Sequence, residues 1–179
     1  QLDIKKMIKQ KSLYPTRPLE CWQKCKEMRL AYYQEVATAR EEGKLLVAGS
    51  AWEAFVLPSG LGDYVFFGGE PYGASIASDA AFAQRCAEAT EAQGLAREMC
   101  AHMRNFLGSM YLDSYLFGGK FPRPHFSITF HICDNHAKWY QHMYERWGIP
   151  FFAIDIPAPD GHKRRANRVE YVASQLWDA

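Results

Sequence analysis

Short continuous apolar runs alternate along this chain with longer stretches whose apolar residues recur at helical spacing. Four runs read as buried strands of a parallel sheet: Lys44–Gly49 (KLLVAG), Asp63–Phe67 (DYVFF), Phe126–Ile132 (FSITFHI) and Ile149–Ile156 (IPFFAIDI). A helix opens at Pro18 and closes at Gly43, with Trp22, Cys25, Met28, Tyr32 and Val36 predicted on its apolar face. Further helices are predicted over Ser75–Gln93, His136–Gly148 and Arg168–Ala179, and another that starts near Cys100 within Leu95–Leu107, with Gly94 and Gly108 as stops and Asp134 and Asn135 as a cap. A strand-to-helix turn is expected at Ser50, with a short helix after it. Gly68-Gly-Glu-Pro-Tyr-Gly73 reads as a turn whose glycines let the backbone bend sharply or approach a ligand.

Strands alternating with helices of this length predict an α/β fold: a Rossmann-like parallel sheet flanked by helices. The expected division is an arm over Gln1–Arg17, an α/β domain over residues 18–160, and a linker with a closing helix over 161–179. Neither G-x-G-x-x-G nor G-x-x-x-x-G-K-[ST] occurs, which removes the dinucleotide fingerprint and the P-loop.

Composition changes this picture little. The 179 residues suffice for one domain with a real core, and 48% hydrophobic content argues against disorder. The 15% aromatic content suits a large core, a flat apolar ligand or a large interface. A net charge of +1 gives no reason to expect nucleic acid or an anionic membrane as partner. No apolar run approaches the roughly 18 residues that span a bilayer. Five cysteines, odd in number and irregularly spaced with no leader-like start, argue against a secreted disulfide framework. The expectation is a cytoplasmic, reducing compartment.

The thiols are the first candidates for chemistry. Cys100 and Cys133 bracket a Gly/Pro-rich loop and an apolar strand, and read either as ligands of an iron–sulfur cluster or as two buried structural cysteines. Cys21 and Cys25, one helical turn apart, are half of a metal site or, as expected, core residues; Cys86 reads as packing. Glu70, at the end of the second strand, is an acid, a base, a hydrogen-bond acceptor or an exposed turn carboxylate.

Taken together, the strand followed by Ser50-Ala-Trp-Glu53, the GGEPYGA turn, Glu98-Met-Cys100 leading to Asn105-Phe-Leu-Gly108, the Pro-rich loop, His131-Ile-Cys133-Asp134 and IPFFAIDIP resemble the benzoyl-CoA reductase and 2-hydroxyacyl-CoA dehydratase family. The resemblance covers roughly Leu45 to Pro157. It implies a subunit in which three cysteines hold one [4Fe–4S] cluster, Cys100 and Cys133 being two of them. The family's third comes from a second α/β lobe, so the chain is expected to be the N-terminal half of a subunit. GGEPYGASIASD, CWQKCKEMR and the aromatic-rich loops look more like an ATP-dependent benzoyl-CoA reductase, an oxidoreductase that dearomatises an aromatic acyl-CoA with low-potential electrons. The alternatives are a 2-hydroxyacyl-CoA dehydratase subunit and a non-catalytic scaffold subunit.

The implied partners are a related cluster-bearing subunit, a separate ATPase that donates electrons, and the acyl-CoA. Ser50 and Glu53 sit where the family places substrate-contacting groups, and Glu70, His131 and His136 are candidate proton donors. His131 would share a strand face with Cys133 if both stayed in the strand. Phe66, Phe67, Tyr72, Phe126 and Phe130 would wall a dry site, or simply pack the core. Lys163, Arg164, Arg165 and Arg168 form a basic run that is either a solvated loop or a contact for CoA phosphates.

Overall fold

The computed structural model describes residues 19–50, 62–158 and 165–179. The predicted arm, the short helix after Ser50 and much of the loop before the last helix lie outside these residues. The chain divides into two units, residues 1–32 and 33–179. Helix α1 (Trp22–Thr38) begins in the first and ends in the second.

Four strands carry the second unit: β1 (Leu45–Gly49), β2 (Tyr64–Gly68), β3 (Phe126–His131) and β4 (Phe151–Asp155). They form one parallel sheet in the order β2-β1-β3-β4, as the pattern of runs predicts. The register sets Gly49 opposite both Gly68 and Ile128, and His131 opposite Asp155. The C-terminal strand ends therefore lie along one edge. The chain leaves β1 toward β2, and the other neighbour, β3, follows β2 after three helices. The β1/β3 boundary is thus a topological switch point, where open parallel sheets leave a crevice for ligands.

Alternation along each strand gives the sheet two apolar faces. Val47, Phe66, Ile128, Phe130 and Ile154 build one, covered in part by Val172 and Leu176 of α7 (Arg165–Asp178). On the other, Phe67 is fully buried among the rings of Tyr72, Phe106, Tyr115 and Phe121. These rings come from α2 (Gly69–Ile76), α4 (Ala101–Tyr111) and the segment after α4; α3 (Ala80–Ala92) packs against α4. Of the five aromatics proposed as site walls, Phe66, Phe67, Tyr72 and Phe130 are buried in the core.

Three helical expectations are corrected. In GGEPYG, Gly68 ends β2 and Gly69 to Gly73 open α2, because Pro71 in a first turn gives up an N–H that has no intrahelical partner anyway. Helix α3 starts only at Ala80, where the Asp79 carboxylate accepts from Phe82 N–H at 3.0 Å. Gly108 does not stop α4: it lies inside it, where a Cβ would overlap the Cys86 carbonyl of α3.

The predicted helix after β3 is two short ones, α5 (Asp134–Trp139) and α6 (Gln141–Trp147), and its cap position is Cys133. On α1 the buried positions are Tyr33 and Val36, with Ala39 buried just after its end, whereas Trp22, Cys25 and Met28 are exposed. The apolar face predicted for its first turns is not a buried one.

Candidate functional site at the C-terminal edge of the sheet

The strand ends and helix starts along this edge gather most of the chain's candidate chemistry. Glu70 is the second residue of α2. Its backbone N–H donates to the Ser50 carbonyl at 3.1 Å, extending the β1/β2 ladder by one step. A carboxylate in the first turn of a helix also faces the positive end of the helix dipole. Its side chain is 40% exposed, with Oε1 3.9 Å from His102 Nδ1 and Oε2 3.8 Å from His136 Nε2. These separations lie beyond a direct hydrogen bond, so a small shift of one side chain makes or breaks it.

The two histidines face different oxygens of the Glu70 carboxylate. His102 sits in the first turn of α4, two residues after Cys100, and His136 in α5, three after Cys133. Each cysteine is the N-cap of its helix. Cys100 is half-buried and Cys133 exposed, and both thiols are free. The Glu70 carboxylate thus meets the first turn of both cysteine-capped helices.

His136 is the buried member. Only 8% of its side chain is exposed, and its Nδ1 has no hydrogen-bond partner among the described residues. Trp139 Nε1, on the same short helix, is likewise buried without one.

Glycines permit this convergence. A Cβ at Gly69 would overlap the Tyr140 hydroxyl, and one at Gly73 would overlap the His102 carbonyl. The close approach expected of this glycine-rich segment is therefore to neighbouring elements of the protein. Asn105 Nδ2 ties α4 to α2 through the Gly73 carbonyl at 3.0 Å.

The remaining candidates fall elsewhere. Ser50 is fully buried; its hydroxyl accepts from Thr129 Oγ1 at 3.2 Å and joins β1 to β3 at the switch point. Glu53 lies outside the described residues. His131 does not share a strand face with Cys133, because β3 ends at His131 and Ile132 turns the chain before the cap. Its Nδ1 lies 3.0 Å from Asp155 Oδ1 on β4, and Tyr171 of α7 donates to Asp155 Oδ2 at 3.2 Å. That bond to the carboxylate raises the Tyr171 hydroxyl above the ordinary phenol range.

Arg165 and Arg168 flank an apolar groove of about 480 Å³ between α7 and the chain after β4, and Arg168 donates to the Ala158 carbonyl at 3.3 Å. Cys86 is buried as expected, but Cys21 and Cys25 are exposed, not core residues. Sequence reasoning missed His102. The signal was the spacing Cys100-x-His102 at a helix start, which sets thiol and imidazole in one turn.

Free thiols at two helix N-termini suit a thiolate-bound cluster in donor chemistry. Yet among the described residues no three His, Cys, Asp or Glu side chains converge as a metal-binding group. The described chain therefore offers at most part of a ligand set.

A parallel sheet with its chemistry gathered at the C-terminal edge is the arrangement of an α/β enzyme domain. The family model of the 2-hydroxyglutaryl-CoA dehydratase D-component matches residues 64–179, and the chain belongs to that family. It is 30% identical over 97 residues to the (R)-phenyllactyl-CoA dehydratase alpha subunit of Clostridium sporogenes, a match covering 54% of this chain and 24% of the relative. It is 26% identical over 155 residues to the (R)-2-hydroxyisocaproyl-CoA dehydratase alpha subunit of Clostridioides difficile, covering 82% of this chain and 36% of the relative. The chain thus matches well under half the length of either. Both relatives are dehydratase subunits, which favours the dehydratase alternative over the benzoyl-CoA reductase reading. No helix among the described residues is long and apolar enough to cross a membrane.

Proposed function

We propose that this chain is part of an alpha-type subunit of a 2-hydroxyacyl-CoA dehydratase, a complex that removes water from a 2-hydroxyacyl-CoA in the cytoplasm. The family match carries the proposal. Both named relatives act on (R)-2-hydroxyacyl thioesters, one with an aromatic and one with a branched aliphatic side chain, so the acyl class is common to them and the side chain is not.

The proposed roles follow from chemistry at the sheet edge. Cys100 and Cys133 would be two ligands of a [4Fe–4S] cluster, the third coming from outside the described residues. Such a cluster, when bound, supplies the low-potential electron that makes a poor hydroxyl leaving group departable. Glu70 is the residue of this chain best suited to move a proton: its carboxylate is half-exposed and lies between two imidazoles. Buried His136 faces one carboxylate oxygen and His102 the other, each a short movement away from a hydrogen bond. The Ser50 hydroxyl, bonded to Thr129, fixes the backbone that receives the Glu70 amide. The complex would include a related cluster-bearing subunit and an ATPase that delivers the electron.

The test uses the intact complex, purified without oxygen. Iron and acid-labile sulfide are measured for the native protein and for Cys100→Ser and Cys133→Ser. Turnover is measured with an (R)-2-hydroxyacyl-CoA and, separately, with benzoyl-CoA, each with ATP and reductant. The expected result is loss of iron in both variants and an enoyl-CoA product from the hydroxyacyl substrate. Unchanged iron in both variants would remove the ligand assignment. Reduction of benzoyl-CoA without dehydration would remove the dehydratase reading.

A further inference from the structure

We propose that the exposed face at the start of α1, formed by Cys21, Cys25 and Met28, is a binding site for a soft monovalent metal ion, Cu(I). Cys21 immediately precedes α1, and Cys25 and Met28 follow it within the helix at i+4 and i+7. At about 3.6 residues per turn they lie within roughly 60° of one another around the helix. The turn that sets this spacing is formed: Cys25 N–H donates to the Cys21 carbonyl at 2.9 Å. Both thiols are exposed and free, and Met28 is 62% exposed. Three sulfur side chains turned outward on one helix face are not accounted for by packing.

Helical geometry narrows what they can hold. Residues at i and i+4 keep their Cβ atoms about 5–6 Å apart. A disulfide needs about 3.5–4.5 Å, and Cys21 and Cys25 are both free. A metal ion between the two sulfurs spans the larger gap without unwinding the turn. Zinc wants four donors, and no group of three or more His, Cys, Asp or Glu converges among the described residues. Thiolate and thioether together are the donors that select Cu(I).

The surroundings suit the charge. Two thiolates and one Cu(I) carry a net negative charge, each thiol having released its proton on binding. Lys24 precedes Cys25 and Arg29 follows Met28, on either side of the sulfur stripe. Arg29 and Lys26 line a small apolar cleft with Trp22 and Cys25. The hydrogen bond from Gln23 to Glu27, at 2.8 Å, occupies the opposite face of the helix and leaves the sulfurs unobstructed.

The site is independent of the cysteines proposed for the cluster, and the experiment separates them. The full chain carrying Cys100→Ser and Cys133→Ser is reduced, kept anaerobic and titrated with Cu(I) against bicinchoninate, whose coloured Cu(I) complex reports what the protein withdraws. One equivalent of Cu(I) per chain should be withdrawn. Adding Cys21→Ser and Cys25→Ser should abolish this, with far-UV circular dichroism unchanged because both positions are exposed. Met28→Leu should weaken binding about tenfold. No withdrawal by the parent chain, or withdrawal that survives the two added serines, overturns the site; undiminished binding in Met28→Leu removes the thioether from it.

Discussion

Glu70 and Tyr72, two residues apart on one helix turn, show how side chains on the same element divide between chemistry and structure. The Glu70 carboxylate reaches the edge of the sheet between His102 and His136 and makes no contact on which the fold depends. Glu70→Gln in the intact complex should therefore lower turnover by about 10²–10⁴-fold. Its unfolding free energy should stay within about 0.5 kcal/mol of the native value, as for an exposed substitution. A turnover within threefold of native would take Glu70 out of the reaction.

Tyr72 points inward and is fully buried. Leu116 N–H donates to its oxygen at 3.0 Å, its hydroxyl lies 2.7 Å from Ser109 Oγ, and Ser109 Oγ donates to the Ser114 carbonyl at 2.5 Å. Each donor in this relay has one acceptor, which is how a buried polar network avoids a desolvation cost. Tyr72→Phe strands the Leu116 N–H and should cost roughly 1–3 kcal/mol in urea unfolding. The sequence showed Glu70 as a candidate because it follows a strand. It showed Tyr72 only as an aromatic, because a relay running through Leu116 and Ser114 depends on tertiary contacts that no local pattern encodes.

At the scale of elements, what was legible follows from range. The four strands were readable because a strand buried on both faces is a continuous apolar run, a purely local signal. Helix starts were harder. Asp79 as the cap of α3 has a sequence signature, yet the helical spacing reads back to Ser75, four residues before the observed cap. The α2 start was hidden by glycines read as a turn. Gly69, Gly73 and Gly108 have no positive φ and serve close packing instead. Such a glycine cannot be told from a turn glycine without knowing what packs against it.

Two substitutions separate these roles. Asp79→Ala removes one cap bond and should cost about 1 kcal/mol. Gly108→Ala forces a methyl group into the Cys86 carbonyl across the α3/α4 crossing, where backbone must move, and should cost about 1–3 kcal/mol. If Gly108→Ala unfolds at the native urea concentration, the helices are not held at this separation in solution.

For the molecule as a whole, the sheet and its chemical edge were legible, whereas the partition of the cysteines was not. Cys100 and Cys133 were singled out by resemblance and stand at helix starts on the same edge. Cys21 and Cys25 read as core because apolar spacing on a helix looks the same whether or not anything covers it, and they are exposed. Cys86 is the core thiol, and it links the α3/α4 packing to a global property. Burial pushes its pKa from 9.0 up to about 12.

Burial likewise raises the hydroxyls of Tyr72 and Tyr111, and the Asp155 bond raises that of Tyr171. In each case the folded protein holds a proton that the unfolded chain releases first. Their contribution to stability is complete below about pH 9, where the unfolded groups are also protonated. It falls as pH rises from there toward the folded-state values. The urea midpoint should therefore be level near neutrality and decline from about pH 9 upward. Cys86→Ala should lower the midpoint at pH 7 through lost packing, yet flatten its decline between pH 9 and 11, because the group that titrates first is gone. A native midpoint constant to pH 11, or a Cys86→Ala curve parallel to the native one across that range, would show that the thiol is not held protonated by the fold.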